Sequence, residues 1–341
     1  MTQAAPPMPP RQYARVGDIR LAFHEAGPRS GVPVVLCHGF PELAFSWRHQ
    51  IRALADAGYR VVVPDQRGYG ASDRPDDVAA YDMAHLTRDL TGLLDHLGID
   101  RAIFCGHDWG GLVVWQMPLM HPQRTAGVIG VNTPFRPRPP TDPVATLRRL
   151  MGHDMYIVHF QTPGDADALL AADPRRVFDC LMRRPPADAT AAASGVTDPA
   201  GTEGGFALVR WIQAWDPARD TRERFLTEAE LEVFVDTFAR TGFTGGINWY
   251  RNLSRNWQRS AHLPGRVEVP ALMVMAEKDP FLPPAAADGM ARHVPDLEKV
   301  LLRGVGHWTQ QEAPDRLATV LIDWLRRRFP PRAAASPVQS A

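Results

Sequence analysis

Six short runs rich in β-branched residues, each bounded by turn residues, limit the fold of this chain more tightly than any other feature. They are VPVVLCHG (32–39), YRVVVPD (59–65), RAIFCGHD (101–108), GVIGVNTP (127–134), ALMVMAEKD (271–279) and EKVLLRGVGH (298–307). Runs so short and so apolar have no polar face, which marks strands buried on both sides of a parallel sheet. Parallel strands need crossovers, and helical patterns lie between the runs. MAHLTRDLTGLLDHLG (83–98) puts Leu86, Leu90, Leu93, Leu94 and Leu97 on one stripe and ends on a glycine. Alternating strands and helices predict a doubly wound α/β fold.

The rhythm stops after VNTPF and resumes near VEVPALMVM. A chain of 341 residues suits one large α/β domain with an inserted subdomain. The expected division is a frayed start (1–9), a first part of the core (10–135), a helical cap (136–264), a second part of the core (265–329) and a frayed tail (330–341). Within the cap, TEAELEVFVDTFART (227–241) has a threonine cap followed by acidic residues and predicts a helix. RRPPADATAAASGVTDPAGTEGG (183–205) reads as an exposed loop, and no internal repeat is visible.

Composition narrows the function. Thirty-eight basic residues balance 38 acidic ones, so no strong field is available to hold nucleic acid or an anionic membrane, and a small neutral substrate fits better. Cys37, Cys105 and Cys180 lack metal-ligand spacing and are odd in number, which predicts reduced core thiols and neither a disulfide framework nor a zinc site. The start MTQAAPPMPP has no secretory pattern and no run reaches transmembrane length, so a soluble cytoplasmic protein is expected.

The chemistry centres on CGHDWGG (105–111). Gly106 and Gly110, two before and two after Asp108, have the spacing of a strand-to-helix turn that displays a nucleophile, with an aspartate where a serine is more familiar. Alone, such an aspartate would be read as a helix cap. However, HGFPE (38–42) follows an earlier strand where an oxyanion-hole N–H belongs, and Asp279 and His307 each follow a later strand. Nucleophile, acid and histidine thus come in the order expected of this fold, each at a strand's C-terminal end, where the cleft opens.

The aspartate itself selects the reaction. A serine alkoxide attacking a saturated carbon would leave an ether that activated water cannot cleave. A carboxylate leaves an ester, which water activated by His307 and oriented by Asp279 can hydrolyse. Asp108 therefore implies displacement at an sp³ carbon, with epoxides or alkyl halides as candidates. A departing halide needs weakly acidic N–H donors, whereas an opening epoxide needs a hydrogen bond and then a proton. Tyr156 and Tyr250 are phenols in the expected cap that could supply these, although each alone would be read as a core residue.

Taken together, HGFPE, VVVPDQRGYGASDRP, GHDWGG, a tyrosine four residues before FQTPG, NWYRN, AEKD and GHWTQQEAP resemble the soluble-type epoxide hydrolases of the α/β-hydrolase fold, over about residues 15–327. The resemblance implies Asp108 as nucleophile, Asp279 and His307 as charge-relay pair, and Tyr156 and Tyr250 as oxygen-binding pair. It also implies an oxyanion hole from the Phe40 and Trp109 N–H groups, a cis peptide before Pro41, and a pocket lined by Phe40, Pro41 and Trp109. A bacterial, monomeric or homodimeric enzyme of detoxification without an amino-terminal phosphatase domain would fit, with a small epoxide as substrate and no cofactor.

Other residues are expected to serve structure. His38 and His107 orient backbone, Asp65 and Arg67 are partners after a strand, and His153 and Gln161 line the cap pocket. Glu42 either bonds near the cleft or lies solvated at the surface. The rival enzyme is a haloalkane dehalogenase, against which stand both tyrosines and Phe40, where that family carries asparagine. A fluoroacetate-type dehalogenase would have arginine in place of Trp109, and no serine stands at the elbow for an esterase. A ligand-binding relative that has lost catalysis is the rival of another class.

Overall fold

The computed structural model describes residues 7–186 and 206–331. Eight strands, β1 (Arg11–Val16), β2 (Ile19–Ala26), β3 (Pro33–Cys37), β4 (Arg60–Pro64), β5 (Ala102–His107), β6 (Thr125–Val131), β7 (Ala271–Ala276) and β8 (Leu297–Leu302), form one sheet. Their order is β1-β2-β4-β3-β5-β6-β7-β8. From β4 through β8 all neighbours are parallel. All six expected strands are present. The first two strands are an addition: β1 and β2 pair antiparallel around Gly17, and β2 pairs antiparallel with β4. Their sequences interleave arginines with apolar residues, and β1 is half exposed, so they lack the continuous apolar run that reveals the others.

The order explains where a cleft must open. From β3 the chain first adds β4 on one side and then β5 on the other, so the β3–β5 boundary is a topological switch point, with a crevice beyond the strands' carboxyl ends. HGFPE leaves β3 there, and Asp108 follows β5 directly.

The helices before β7 are α1 (Arg48–Asp56), α2 (Met83–His96), α3 (Trp109–Met120), α4 (Pro143–Met151), α5 (Tyr156–His159), α6 (Asp165–Ala171), α7 (Pro174–Leu181), α8 (Leu208–Ala214), α9 (Glu228–Thr241), α10 (Thr244–Arg251) and α11 (Leu253–Arg259). After β8 come α12 (Thr309–Glu312) and α13 (Pro314–Arg328). Helices α4 to α11 all lie between β6 and β7, where the sequence loses its strand rhythm. The expected helix at 227–241 is α9, closed at its start by a reciprocal Thr227–Glu230 capping box. The expected loop at 183–205 falls from residue 187 onward outside the described residues, as do most of the expected frayed ends.

Alternation along the strands sends side chains to two cores. Val34, Leu36, Ile103, Cys105, Ile129, Leu272 and Val274 pack on one face with Trp324 of α13. Phe23, Val35, Phe104, Val128 and Met273 pack on the other, and this second core continues into the β6–β7 insertion through Phe178, Phe234, Phe238 and Trp249. Each fully buried large side chain contributes about 1.5–3 kcal/mol, so the insertion is tied to the sheet by apolar packing. The three cysteines are free and buried, as expected. Arg67 is buried between Asp89 and Asp18. Asp65 receives the Ala44 and Ala71 N–H groups, so both residues serve structure as expected, but with partners of their own and not with each other. Among the described residues no helix is long and apolar enough to cross a membrane.

Candidate active site

Asp108 occupies a tight turn between β5 and α3 at φ 50°, ψ −119°, a conformation that non-glycine residues rarely adopt. Close packing enforces it. A Cβ on Gly106 would meet the Gly110 carbonyl oxygen at 2.2 Å, and one on Gly110 would meet that of Cys37 at 2.2 Å. The turn is braced by Thr133 Oγ1, which donates to the Asp108 carbonyl at 2.7 Å. At the tip, Asp108 Oδ1 accepts the Phe40 N–H at 2.8 Å, and the neighbouring Trp109 N–H also favours the charged carboxylate. The Phe40–Pro41 peptide is cis. Burial pushes the Asp108 carboxyl above its usual range, against the pull of His307, His107 and these two N–H groups.

His307, after β8, turns Nε2 toward Asp108 Oδ2 at 3.8 Å and Nδ1 toward Asp279 Oδ2 at 2.9 Å. Asp279, after β7, receives the Phe281 and Leu282 N–H groups on Oδ1 at 2.9 and 3.0 Å. Burial would raise the Asp279 carboxyl, but His307, Asn132 and the Leu282 N–H together hold it down to about 2. Burial would lower His307, but Asp279 above all, then Asp108 and Glu42, lift it to about 9.

Close enough to Asp108 to feel its charge are the two phenols, Tyr156 opening α5 and Tyr250 in α10, with ring centroids 5.8 Å apart. Tyr250 packs edge-on against Trp109 at 4.8 Å, Phe160 at 5.0 Å and Phe40 at 5.4 Å. Burial and then neighbouring negative charge, Asp108 included, push both hydroxyls up, so both stay protonated donors at neutral pH. Gln161 donates to the Ile157 and Tyr250 carbonyls at 2.8 and 3.0 Å and so fastens the two tyrosine helices together. His153, expected in the pocket, is exposed to solvent in the turn between α4 and α5.

One supporting residue, Asn132, was not identified from the sequence, and the structure decides between the two readings of Glu42. Asn132, at φ 64° just past β6, donates to Asp279 Oδ2 at 2.6 Å and accepts from Thr309 Oγ1 at 2.7 Å. Its signal was its place after a strand at the cleft edge. Glu42 is wholly buried rather than solvated. It bonds His107 Nδ1 at 2.7 Å, accepts the Gly39 N–H at 2.9 Å, and accepts from Gln310 at 2.6 Å. His107 Nε2 in turn donates to the His307 carbonyl at 2.7 Å, so it fixes backbone as expected, but that of the distant His307. His38 accepts the Gln66 N–H and donates to the Gly39 carbonyl, again a backbone role.

This cleft can deliver a carboxylate to an electrophilic carbon, donate two hydrogen bonds to a departing oxygen, and direct a base at the resulting ester. Among the described residues no group of three or more His, Cys, Asp or Glu side chains could hold a metal ion.

The family model of the α/β hydrolase fold matches residues 32–178. The chain is 42% identical to epoxide hydrolase A of Mycobacterium tuberculosis, over 93% of this chain and 97% of that protein. It is 41% identical to the mouse (Mus musculus) bifunctional epoxide hydrolase 2, over 90% of this chain and 54% of that one, so it spans about half of the mouse protein. The crystal structure of epoxide hydrolase A from Mycobacterium thermoresistibile aligns with a TM-score of 0.83 at 44% identity, covering 93% of this chain and 98% of that one. Together with the cleft, these similarities establish that the chain belongs to the epoxide hydrolases of the α/β-hydrolase fold.

Proposed function

We propose that this chain adds water to a small epoxide and releases a vicinal diol through an ester on Asp108. An Asp108 oxygen attacks one ring carbon, and the carbon–oxygen bond breaks toward the Tyr156 and Tyr250 hydroxyls, one of which gives its proton to the departing oxygen. His307 then takes a proton from water, and the hydroxide attacks the ester carbonyl. The developing oxyanion is received by the Phe40 and Trp109 N–H groups. Collapse frees the diol, regenerates the Asp108 carboxylate, and returns the proton from His307 to the tyrosine.

The charges favour this order of events. Ionised Asp108 adds to the pull of Asp279 that raises His307; once Asp108 is esterified that contribution disappears, and His307 gives up its proton more readily at the stage where a base is needed. The observation that carries the proposal is the pair of neutral phenols within reach of the charge of a strained, N–H-bonded aspartate. Residues 136–264 would serve as a cap carrying the phenols, over a core of residues 10–135 and 265–329. Buried free thiols support work in the cytoplasm.

The test is turnover of separate epoxide and haloalkane panels by wild type and by Asp108→Ala. Diol formation by wild type alone supports the proposal. Diol formation by Asp108→Ala, or turnover of haloalkanes only, overturns it.

A further inference from the structure

One side chain grips the turn that carries His307 from both sides. Glu312 closes the short helix α12, and its carboxylate folds back on the chain just before that helix. Oε2 accepts the Gly306 N–H at 2.9 Å, and Oε1 accepts the Trp308 N–H at 3.0 Å. These amides belong to the residues immediately before and after His307. The clasp is enclosed: Glu312 is 5% exposed, and a Cβ on Gly306 would meet Pro185 Cδ at 2.7 Å and Glu312 Oε1 at 2.8 Å.

Both hydrogen-bond partners are main-chain amides. Burial raises the Glu312 carboxyl, offset by these amides and by the charges of Arg184 and His307. Arg184 places its own hydrogen bond on the Glu312 carbonyl, at 2.9 Å. A buried carboxylate satisfied in this way is costly compared with an apolar side chain of similar size. What its geometry secures is the main chain on either side of His307, whose carbonyl is separately held by His107 and Asn132.

We infer that Glu312 is a positioning residue for the second half of the reaction: its two-sided grip keeps His307 Nε2 aimed at Asp108 while the ester is hydrolysed. The inference rests on the ester mechanism proposed above. It predicts a separation, because ring opening depends on Asp108, Tyr156 and Tyr250, and Glu312 hydrogen-bonds none of these.

The experiment uses Glu312→Gln, whose amide can accept from one N–H but presents its own NH₂ to the other, and Glu312→Asp, one methylene too short for both. Alkylation and ester hydrolysis are followed in single turnovers of an aryl epoxide that wild type consumes. The expected result is hydrolysis slowed about 10- to 100-fold with alkylation within about threefold of wild type. Because the ester then accumulates, kcat and KM fall together, and kcat/KM is preserved. A general loosening of the fold would instead lower kcat/KM.

An unchanged kcat in both variants, a fall in kcat/KM matching that in kcat, or failure of both variants to fold would overturn the inference. If wild type consumes the epoxide without forming an Asp108 ester, the ester mechanism itself is what fails, whatever the variants do.

Discussion

His307 Nε2 lies 3.8 Å from Asp108 Oδ2, near enough to feel its charge and too far to hydrogen-bond it directly. The carboxylate is thus left free to attack, while its charge contributes to holding His307 up at about 9. In the ester that contribution is gone. Ester hydrolysis should therefore rise with pH along a limb whose midpoint lies below about 9, since the base must be neutral to take a proton. Single-turnover hydrolysis measured from pH 5 to 10 checks this, and a midpoint at or above that of the free enzyme would contradict it. Ring opening should fall in acid as Asp108 protonates, at a pH above the usual carboxylate range because burial raises that group.

Removing either phenol should slow ring opening. Tyr156→Phe and Tyr250→Phe each leave one donor, so each should reduce the alkylation rate roughly 10²-fold, and the double variant more, though not by the product of the two. Rapid-quench measurement of ester formation distinguishes this from an effect on hydrolysis. Full alkylation in the double variant would remove the tyrosines from the chemistry.

Asn132→Gly should keep the backbone, because glycine accepts φ 64°, while losing the 2.6 Å bond to Asp279. Loss of a hydrogen bond to a buried charge costs about 1.5–3 kcal/mol. The Asp279 carboxyl should rise from about 2 toward its ordinary value. A carboxyl held low stabilises the fold above its unfolded pKa and loses that contribution as pH falls through its folded pKa. Acid unfolding of Asn132→Gly should therefore begin at higher pH than in wild type, a shift that circular dichroism would detect.

Arg48 binds Glu230 across the boundary between α1 and the insertion, and both are buried. Arg48→Met strands the Glu230 charge and should destabilise the protein by about 3–5 kcal/mol in urea unfolding. A loss under about 1 kcal/mol, the range of surface pairs, would show that water reaches Glu230.

The central sheet and the residues proposed for the chemistry could be read from the sequence for the same reason: parallel strands write continuous apolar runs, and the proposed catalytic side chains stand where those runs end. Asp108, Asp279 and His307 needed only the position of each strand's carboxyl end. β1 and β2 escaped because an edge hairpin alternates arginine with apolar residues. Glu42 keeps two readings in the sequence because a carboxylate beside a surface-like turn gives no local sign of burial; its partner His107 lies 65 residues away. Gln161 and His153 lie close together in sequence, yet only packing against α10 decides that one braces Tyr250 while the other faces solvent.

The most direct test of the account is the intact mass of His307→Gln protein after exposure to an epoxide that wild type hydrolyses, followed by peptide mapping. The account predicts a gain equal to the whole epoxide, located on Asp108 and persisting because no base is present to activate water. No gain, or a gain mapped to any other residue, would contradict it.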